Sequence, residues 1–119
     1  REDNRLLEVE HFHVVLVNPK RRLIRAETLA QGTLDSLVTH PRDVFRPAIT
    51  ANASALFLAH NHPSGDPTPS EDDIKFTRDI IRAGKLLNID VLDHIILGHR
   101  TAERGKDFAS LRELGYFYA

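Results

Sequence analysis

Two histidines and an acid in the stretch AHNHPSGDPTPSEDD, residues 59–73, have the side chains and spacing to hold a metal ion. His60 and His62 lie one residue apart at the end of a short apolar run. In extended backbone, side chains at positions i and i+2 point the same way. Because the chain has no cysteine, any metal would be held by His, Asp or Glu. Catalytic zinc commonly has three such ligands and one water.

The acids at the end of this stretch have a second explanation, in which they only begin a helix. Ser70 is a suitable N-cap, and carboxylates in the first turn interact favourably with the helix dipole. At about 100° per residue, however, Asp73 falls on the same stripe as Ile80 and points toward the core, unlike Glu71 and Asp72. A buried carboxylate without a partner costs several kcal/mol, which a nearby cation would remove. Both interpretations stay open at this point.

The rest of the chain predicts an α/β fold with a mixed sheet and flanking helices. Runs of β-branched and aromatic residues indicate strands, and a hairpin with the turn NPKRR opens the chain. The predicted strands are 11–17, 23–30, 54–60 and 89–98, and the predicted helices are 40–53, interrupted by Pro47, and 70–88. The tail 107–119 is expected to pack its aromatic residues, Phe108, Tyr116, Phe117 and Tyr118, on the sheet.

Composition indicates one compact domain over residues 1–119. Apolar residues make up 41%, which is ordinary for a globular protein, and the net charge of −1 gives no overall attraction for nucleic acid. No apolar run approaches the roughly 18 residues of a membrane span, and the first ten residues lack the apolar region of a signal peptide. We therefore expect a cytoplasmic location and, without an initiator Met, a fragment of a longer protein.

The motif at residues 60–73 resembles that of a known enzyme family. His-Asn-His, seven residues and then Ser-Glu-Asp-Asp fit the pattern H-x-H-x7-S-x-x-D, the JAMM motif of JAB/MPN-domain metalloproteases. The strings GTLDSLVTHPRDVF and LLNIDVLDHIILG on either side make the chain similar to the RadC family specifically, from about Glu10 to Gly98. The resemblance implies a mixed sheet flanked by helices, laid out like cytidine deaminase. It also implies that an N-terminal helix-hairpin-helix segment is missing from the fragment.

The resemblance further implies a catalytic site. A zinc ion with a bound water would be held by three residues of the motif: His60, His62 and Asp73. Ser70 matches the motif serine, which in the family helps to stabilise the oxyanion. The catalytic Glu of the family lies near the start of the first core strand, where Glu10 fits best and Glu27 and Glu8 are alternatives.

The activity implied by this site is zinc-dependent hydrolysis of an amide bond, by a metallopeptidase or isopeptidase acting on a peptide or an isopeptide-linked protein. One alternative is a DNA-repair-associated module or zinc-dependent nuclease, as the family name suggests, although the charge balance gives it no support. Another is a non-catalytic, protein-binding MPN domain. Such domains lose the metal ligands, whereas this chain keeps all three residues.

The remaining histidines have simpler interpretations. His94, grouped by strand parity with Asp90, Leu92 and Ile96, is expected to be structural, with a supporting role at the site as the alternative. His40 is expected at a helix start. His11 and His13 form a second His-x-His without a downstream acid at the motif spacing, so a solvated strand face is expected. The basic turn PKRRLIR is expected to be solvated, with phosphate contacts as the alternative.

Overall fold

The computed structural model describes residues 10–32, 40–99 and 107–118, which form an α+β fold around one five-stranded mixed sheet. The strands are β1 (Glu10–Val17), β2 (Leu23–Gly32), β3 (Ala55–Asn61), β4 (Asp90–Leu97) and β5 (Phe108–Ser110), and the helices are α1 (Pro41–Thr50) and α2 (Glu71–Leu87). The strand order is β2-β1-β3-β4-β5, with β3 and β4 parallel and the other pairs antiparallel. The predicted fold class is therefore confirmed, although α1 ends three residues before its predicted end.

The hydrophobic core lies between the two helices and one face of the sheet. Along β1 the side chains alternate, so that Phe12, Val14 and Leu16 are buried on this face. The other buried residues of the core come from both helices, β3, β4 and the segments beside them: Val44, Phe45, Ala48, Ala53, Leu56, Leu58, Ile80, Ile89 and Val91. Because α2 crosses from β3 to the parallel strand β4, its first turn lies beside the carboxyl end of β3.

An irregularity in β4 changes which of its side chains face the core. Leu56 pairs with Val91 but Phe57 pairs with Asp93, so one residue of β4 has no partner in the register. As a result Val91, His94 and Ile96 are buried, whereas Asp90 is exposed and Leu92 is half-buried. The parity prediction that grouped His94 with Asp90 and Leu92 was wrong, because it assumed an uninterrupted strand.

The loop between β3 and α2 is held against the end of β4. His62 N donates to Leu97 O at 2.9 Å, and His99 N donates to Gly65 O at 2.6 Å. Gly65 has a φ of +92°, and a Cβ at Gly98 would lie 2.3 Å from Gly65 O. Two glycines thus permit a close approach of backbone to backbone that positions the loop.

Besides the pairing of β5 with β4, one carboxylate of β4 holds the tail. Asp93 accepts hydrogen bonds from Ser110 Oγ at 2.5 Å and from Arg112 N at 3.1 Å. Phe117 packs against the core as predicted for the aromatic tail, but Tyr118 is half exposed. Neither described helix is long and apolar enough to cross a membrane.

Candidate metal centre

The predicted site residues come from three elements that meet at one edge of the sheet. Because β1 runs antiparallel to β3 and Phe12 pairs with His60, the start of β1 lies beside the end of β3. Glu10 is the first residue of β1 and is buried. Asp73 lies in the first turn of α2, which follows the loop that carries His62. The antiparallel register and the short crossover therefore bring together residues that lie up to 63 positions apart, from Glu10 to Asp73.

Four of the predicted residues converge on one point. Asp73 Oδ1 lies 3.3 Å from His60 Nε2, and Asp73 Oδ2 lies 3.1 Å from His62 Nε2. Glu10 Oε2 lies 3.6 Å from His60 Nε2. One ligand atom from each of Glu10, His60 and His62 lies within 4.8 Å of the others, a spacing that could hold a metal ion. The metal ligands predicted from the sequence are His60, His62 and Asp73, so that set has Asp73 in place of Glu10. The Asp73 carboxylate contacts both histidines.

Glu27, one of the two alternative glutamates, does not enter this cluster. Glu27 pairs across the hairpin with Val14, four residues along β1 from Glu10, and its carboxylate contacts Arg25. Glu8 lies outside the described residues. Of the glutamates considered as general base, Glu10 is therefore the one that the described structure places beside the histidines.

Ser70 and Asp73 serve the helix and the site at once. Asp73 N donates to Ser70 Oγ at 3.0 Å, and Ser70 N donates to Asp73 Oδ2 at 2.8 Å, which is a reciprocal capping box. The same Oδ2 contacts His62 Nε2. The helix cap and the candidate metal site, which the sequence offers as alternatives, thus share one carboxylate. The predicted inward direction of Asp73 agrees with the burial of Thr77 and Ile80 on the same stripe.

The site is electrostatically coupled. Burial raises the pKa of Glu10, against the opposing charges of the two histidines. Burial also acts to raise the pKa of Asp73, but hydrogen bonds from His60 and His62 outweigh it and hold that pKa far below its ordinary range. Burial acts to lower the pKa of His62, but its hydrogen bonds to Asp73 and to the Asp66 carbonyl, together with the charges of Asp73 and Glu10, outweigh burial and raise that pKa. Asp73 is therefore ionised, whereas Glu10 is the carboxylate nearer to exchanging a proton.

Sequence reasoning missed Asn61, and it gave His94 a supporting role at the site only as the alternative to a structural one. Asn61, between the two histidines, is buried and accepts a hydrogen bond from His11 N at 2.6 Å, which ties β1 to the site. His94 is fully buried, and its Nε2 lies 2.8 Å from His60 Nδ1. His94 was considered for such a role, but strand parity alone gave no reason to prefer it. For Asn61, the signal available in the sequence is a polar residue between two predicted ligands at the end of an apolar run.

The predicted roles of two other histidines can be compared with their positions. His40 is the N-cap of α1, and its backbone N–H donates to Asp43 Oδ2 at 3.1 Å. His13 lies half-buried on the other face of β1, with Nδ1 3.1 Å from Thr28 Oγ1. The helix-start prediction for His40 is confirmed. His11 and His13 are both half-buried, so the strand face that carries them is less solvated than predicted.

The mixed sheet, the two described helices and the cluster of histidines and carboxylates define a domain of the JAB/MPN type. The family model described as RadC-like JAB domain matches residues 1–116, and the chain belongs to this family, as its motifs predicted.

The chain is similar to several curated bacterial proteins. A UPF0758 protein of Caldanaerobacter subterraneus is 47% identical, over 98% of this chain and 47% of that protein. A UPF0758 protein of Staphylococcus haemolyticus is 50% identical, over 93% of this chain and 46% of that protein. The UPF0758 protein YsxA of Bacillus subtilis is 44% identical, over 97% of this chain and 47% of that protein. The chain spans about half the length of these relatives.

Proposed function

We propose that this domain is a zinc-dependent metallohydrolase that cleaves amide bonds, as a metallopeptidase or isopeptidase. The observation that supports the proposal most directly is the buried carboxylate of Glu10 next to a cluster of two imidazoles and a second carboxylate. A buried carboxylate in a site with a raised pKa is the group expected of a general base that works near neutral pH.

The donor set fits a divalent zinc ion. Two imidazole nitrogens and a carboxylate oxygen are ligands of zinc, and three protein ligands leave a position for water. The Nε2 atoms of His60 and His62 both lie within 3.3 Å of the Asp73 carboxylate, so all three groups face the same space. A cation in that space would be neutralised by two carboxylates, which offsets the cost of burying them. We assign the metal to His60, His62 and Asp73.

Each remaining residue has a role in amide hydrolysis under this proposal. The bound ion would polarise the substrate carbonyl and lower the pKa of a water molecule. Glu10 would accept a proton from the attacking water and return it to the leaving amine. Ser70 Oγ accepts from Asp73 N, so its own hydroxyl proton stays available for donation to the developing oxyanion.

We propose a peptide or an isopeptide-linked protein as the substrate class. The relatives are about twice as long as this chain, so substrate choice in the whole protein also depends on the other half of such a protein. A helix-hairpin-helix segment there stays a prediction. The cytoplasmic location is part of the proposal too, and the lack of cysteine suits a reducing compartment.

The DNA-associated alternative finds little support in the described structure. The basic residues Lys20, Arg21 and Arg22 are exposed in the β1–β2 turn. Glu10 begins the strand that ends just before this turn, so the turn and the site are separated by about 23 Å of β1. Salt-dependent binding of duplex DNA by this chain would favour the alternative. The non-catalytic alternative would be favoured by one equivalent of zinc without hydrolysis in any assay.

The test of the proposed function compares the wild-type chain with Glu10→Gln and Glu27→Gln. Both variants neutralise a glutamate of the first hairpin, but only Glu10 faces the cluster. The substrates are a library of fluorescence-quenched peptides and peptides joined through a lysine ε-amide. We expect Glu10→Gln to keep zinc and to lose activity by about 10²- to 10⁴-fold, and Glu27→Gln to retain it. Full activity in Glu10→Gln would overturn the assignment of the base.

A further inference from the structure

Three hydrogen bonds, two of them buried and one partly buried, connect His60 to the backbone of Asp73 on the side away from the candidate metal. His60 Nδ1 lies 2.8 Å from His94 Nε2. His94 Nδ1 lies 2.6 Å from Thr77 Oγ1, and Thr77 Oγ1 donates to Asp73 O at 2.7 Å. His60, His94 and Thr77 are each at most 2% exposed. This series of hydrogen bonds therefore runs through the core from His60, one proposed ligand, to the backbone of Asp73, another proposed ligand.

The chemistry of the groups involved determines which atom donates and which accepts in each of these hydrogen bonds. The carbonyl oxygen of Asp73 can only accept, and the single hydroxyl proton of Thr77 is directed to it. Thr77 Oγ1 must then accept from His94 Nδ1–H. A neutral histidine carries one ring proton, so His94 Nε2 is bare and accepts from His60 Nδ1–H. Full burial of His94 favours this neutral ring.

The consequence falls on the other nitrogen of His60. With its proton on Nδ1, neutral His60 has a lone pair on Nε2, the atom that faces Asp73 and Glu10. The Phe12 ring lies parallel to His60, with centroids 5.5 Å apart and planes 9° apart, and so restricts rotation of the imidazole. Orientation and protonation both prepare Nε2 for a metal.

We propose that Thr77 and His94 are positioning residues that hold His60 in its metal-binding tautomer. The inference rests on the metal site of the proposed function, but it concerns proton positions that can be measured without metal or substrate. Without Thr77 Oγ1, His94 can place its proton on Nε2 and donate to His60 Nδ1. The proton of His60 would then occupy Nε2 and compete with the metal.

The direct test is nitrogen-15 NMR of the metal-free wild-type chain, because protonated and bare ring nitrogens have different resonances. We expect His94 to be protonated at Nδ1 and bare at Nε2, with a proton on His60 Nδ1. A proton on His94 Nε2, whether alone or together with one on Nδ1, would overturn the proposal. This experiment needs no variant, so a failure of any variant to fold leaves it decisive.

The second test measures zinc affinity by competition with a chromophoric chelator. Thr77→Val removes the hydroxyl at nearly constant volume, and Thr77→Ser restores it. We expect Thr77→Val to weaken zinc binding about 10- to 100-fold and to change the His94 tautomer, and Thr77→Ser to retain both properties. Ile80→Val, which alters the next turn of the same buried helix face, controls for loosened packing. Unchanged affinity in Thr77→Val, or an equal loss in Ile80→Val, would contradict the proposal.

His94 offers a further check through an amide. The Gln side chain can accept from His60 and donate to Thr77, whereas Leu can do neither. His94→Gln should therefore keep zinc affinity closer to wild type than His94→Leu, and equal losses in the two variants would reduce His94 to a packing role.

The two proposals fail in different ways. A wild-type chain that binds zinc and shows the expected tautomers but cleaves no amide would refute the proposed function and leave the present inference standing. An active wild-type chain whose Thr77→Val variant binds zinc as tightly would refute the inference alone.

Discussion

The protein contains two His-x-His segments with the same spacing and opposite surroundings. The rings of His60 and His62 lie 5.0 Å apart at 66°, and both meet the Asp73 carboxylate. The rings of His11 and His13 are stacked in parallel, 6.1 Å apart at 5°, on the other face of β1. The spacing aligns two histidines in both places. The His60–His62 pair, however, is followed by helix α2, which places the Asp73 carboxylate beside both rings, whereas the His11–His13 pair is followed by strand β2.

The difference has an electrostatic signature. Burial lowers the pKa of His13, and the neighbouring His11 lowers it further. Burial acts on His62 in the same direction, but its hydrogen bonds to Asp73 and the Asp66 carbonyl and the two nearby carboxylate charges together outweigh burial and raise its pKa. His13 thus favours its neutral form, whereas His62 holds a proton more readily beside the Asp73 carboxylate. A carboxylate that contacts the Nε2 atoms of both histidines distinguishes a candidate cation site from a common strand pattern.

The largest effect that separates the pairs is loss of zinc. His62→Ala removes a proposed ligand that is only partly buried, so the fold should survive. We expect zinc affinity to fall by more than about 100-fold, beyond the effect typical of groups that merely support a ligand. His13→Ala, the matched control in the other pair, should bind one equivalent as the wild type does. Metal content by mass spectrometry decides, and full zinc in His62→Ala would remove the distinction between the pairs.

The pH dependence of zinc binding is the next largest effect. Because the folded metal-free His62 has a pKa above its ordinary value of 6.5, protons compete with the metal below that raised pKa. Zinc affinity should therefore fall by about tenfold for each pH unit below it from this histidine alone. Titrations at several pH values, with proton release followed in buffers of different ionisation enthalpy, test this. An affinity independent of pH between 5 and 7 would mean that His62 is not a ligand.

The sequence was sufficient for much of the comparison. The helical wheel separated Asp73 from Glu71 and Asp72, and in the structure Asp73 faces the histidines while both other acids are exposed. This worked because α2 is long, regular and amphipathic. The same wheel puts Leu87 on the inward stripe of Asp73 and Ile80, but Leu87 is 45% exposed because it is the last residue of the helix.

What the sequence could not give depends on contacts between strands. The unpaired residue in β4 moves His94 onto the same face as Val91, and nothing local to β4 encodes this shift. The link from His94 to Thr77 joins side chains of two elements and requires their packing to be known. Local periodicity thus predicted the inward direction of Asp73 in α2 but not the faces of β4, and tertiary register decides which inward residues meet.

A smaller effect concerns the stability of the metal-free protein. The folded pKa of Asp73 is depressed below its ordinary value of 3.8, so its contribution to stability is present above that value and lost as pH falls below it. The raised pKa of His62 has the opposite sense: its contribution is present below 6.5 and lost as pH rises through the folded pKa. Stability from this pair should therefore be greatest between about pH 4 and 6.5.

Asp73→Asn tests that stability profile. It removes a charge that accepts hydrogen bonds from both site histidines, so we expect a loss of about 2 to 3 kcal/mol at pH 5.5 and a flatter profile toward pH 3. Urea denaturation of the metal-free proteins at each pH gives the free energies of unfolding. Asp72→Asn, on the exposed side of the same turn, is the control and should retain the wild-type profile. Parallel profiles for wild type and Asp73→Asn would show that the site carboxylate is not coupled to the histidines.

The smallest expected effect tests the close contact between Gly65 and Gly98, which holds the loop that carries His62. The His11–His13 pair has no such contact to test, because both residues lie within strand β1. A Cβ at Gly98 would lie 2.3 Å from Gly65 O and 2.9 Å from the Pro67 ring, so Gly98→Ala must displace the loop that carries His62. We expect a destabilisation of about 1 to 2 kcal/mol together with weaker zinc binding. Gly115→Ala separates backbone strain from this steric effect, since Gly115 has a φ of +89° and nothing within 4 Å of an added Cβ. It should cost stability without changing zinc affinity, because the described hydrogen bonds of His62 go to Leu97, Gly65, Asp66 and Asp73 and not to residues 107–118. If both variants weakened zinc binding equally, general loosening of the fold would explain the loss, and the contact between Gly65 and Gly98 would have no specific part in holding His62 beside Asp73.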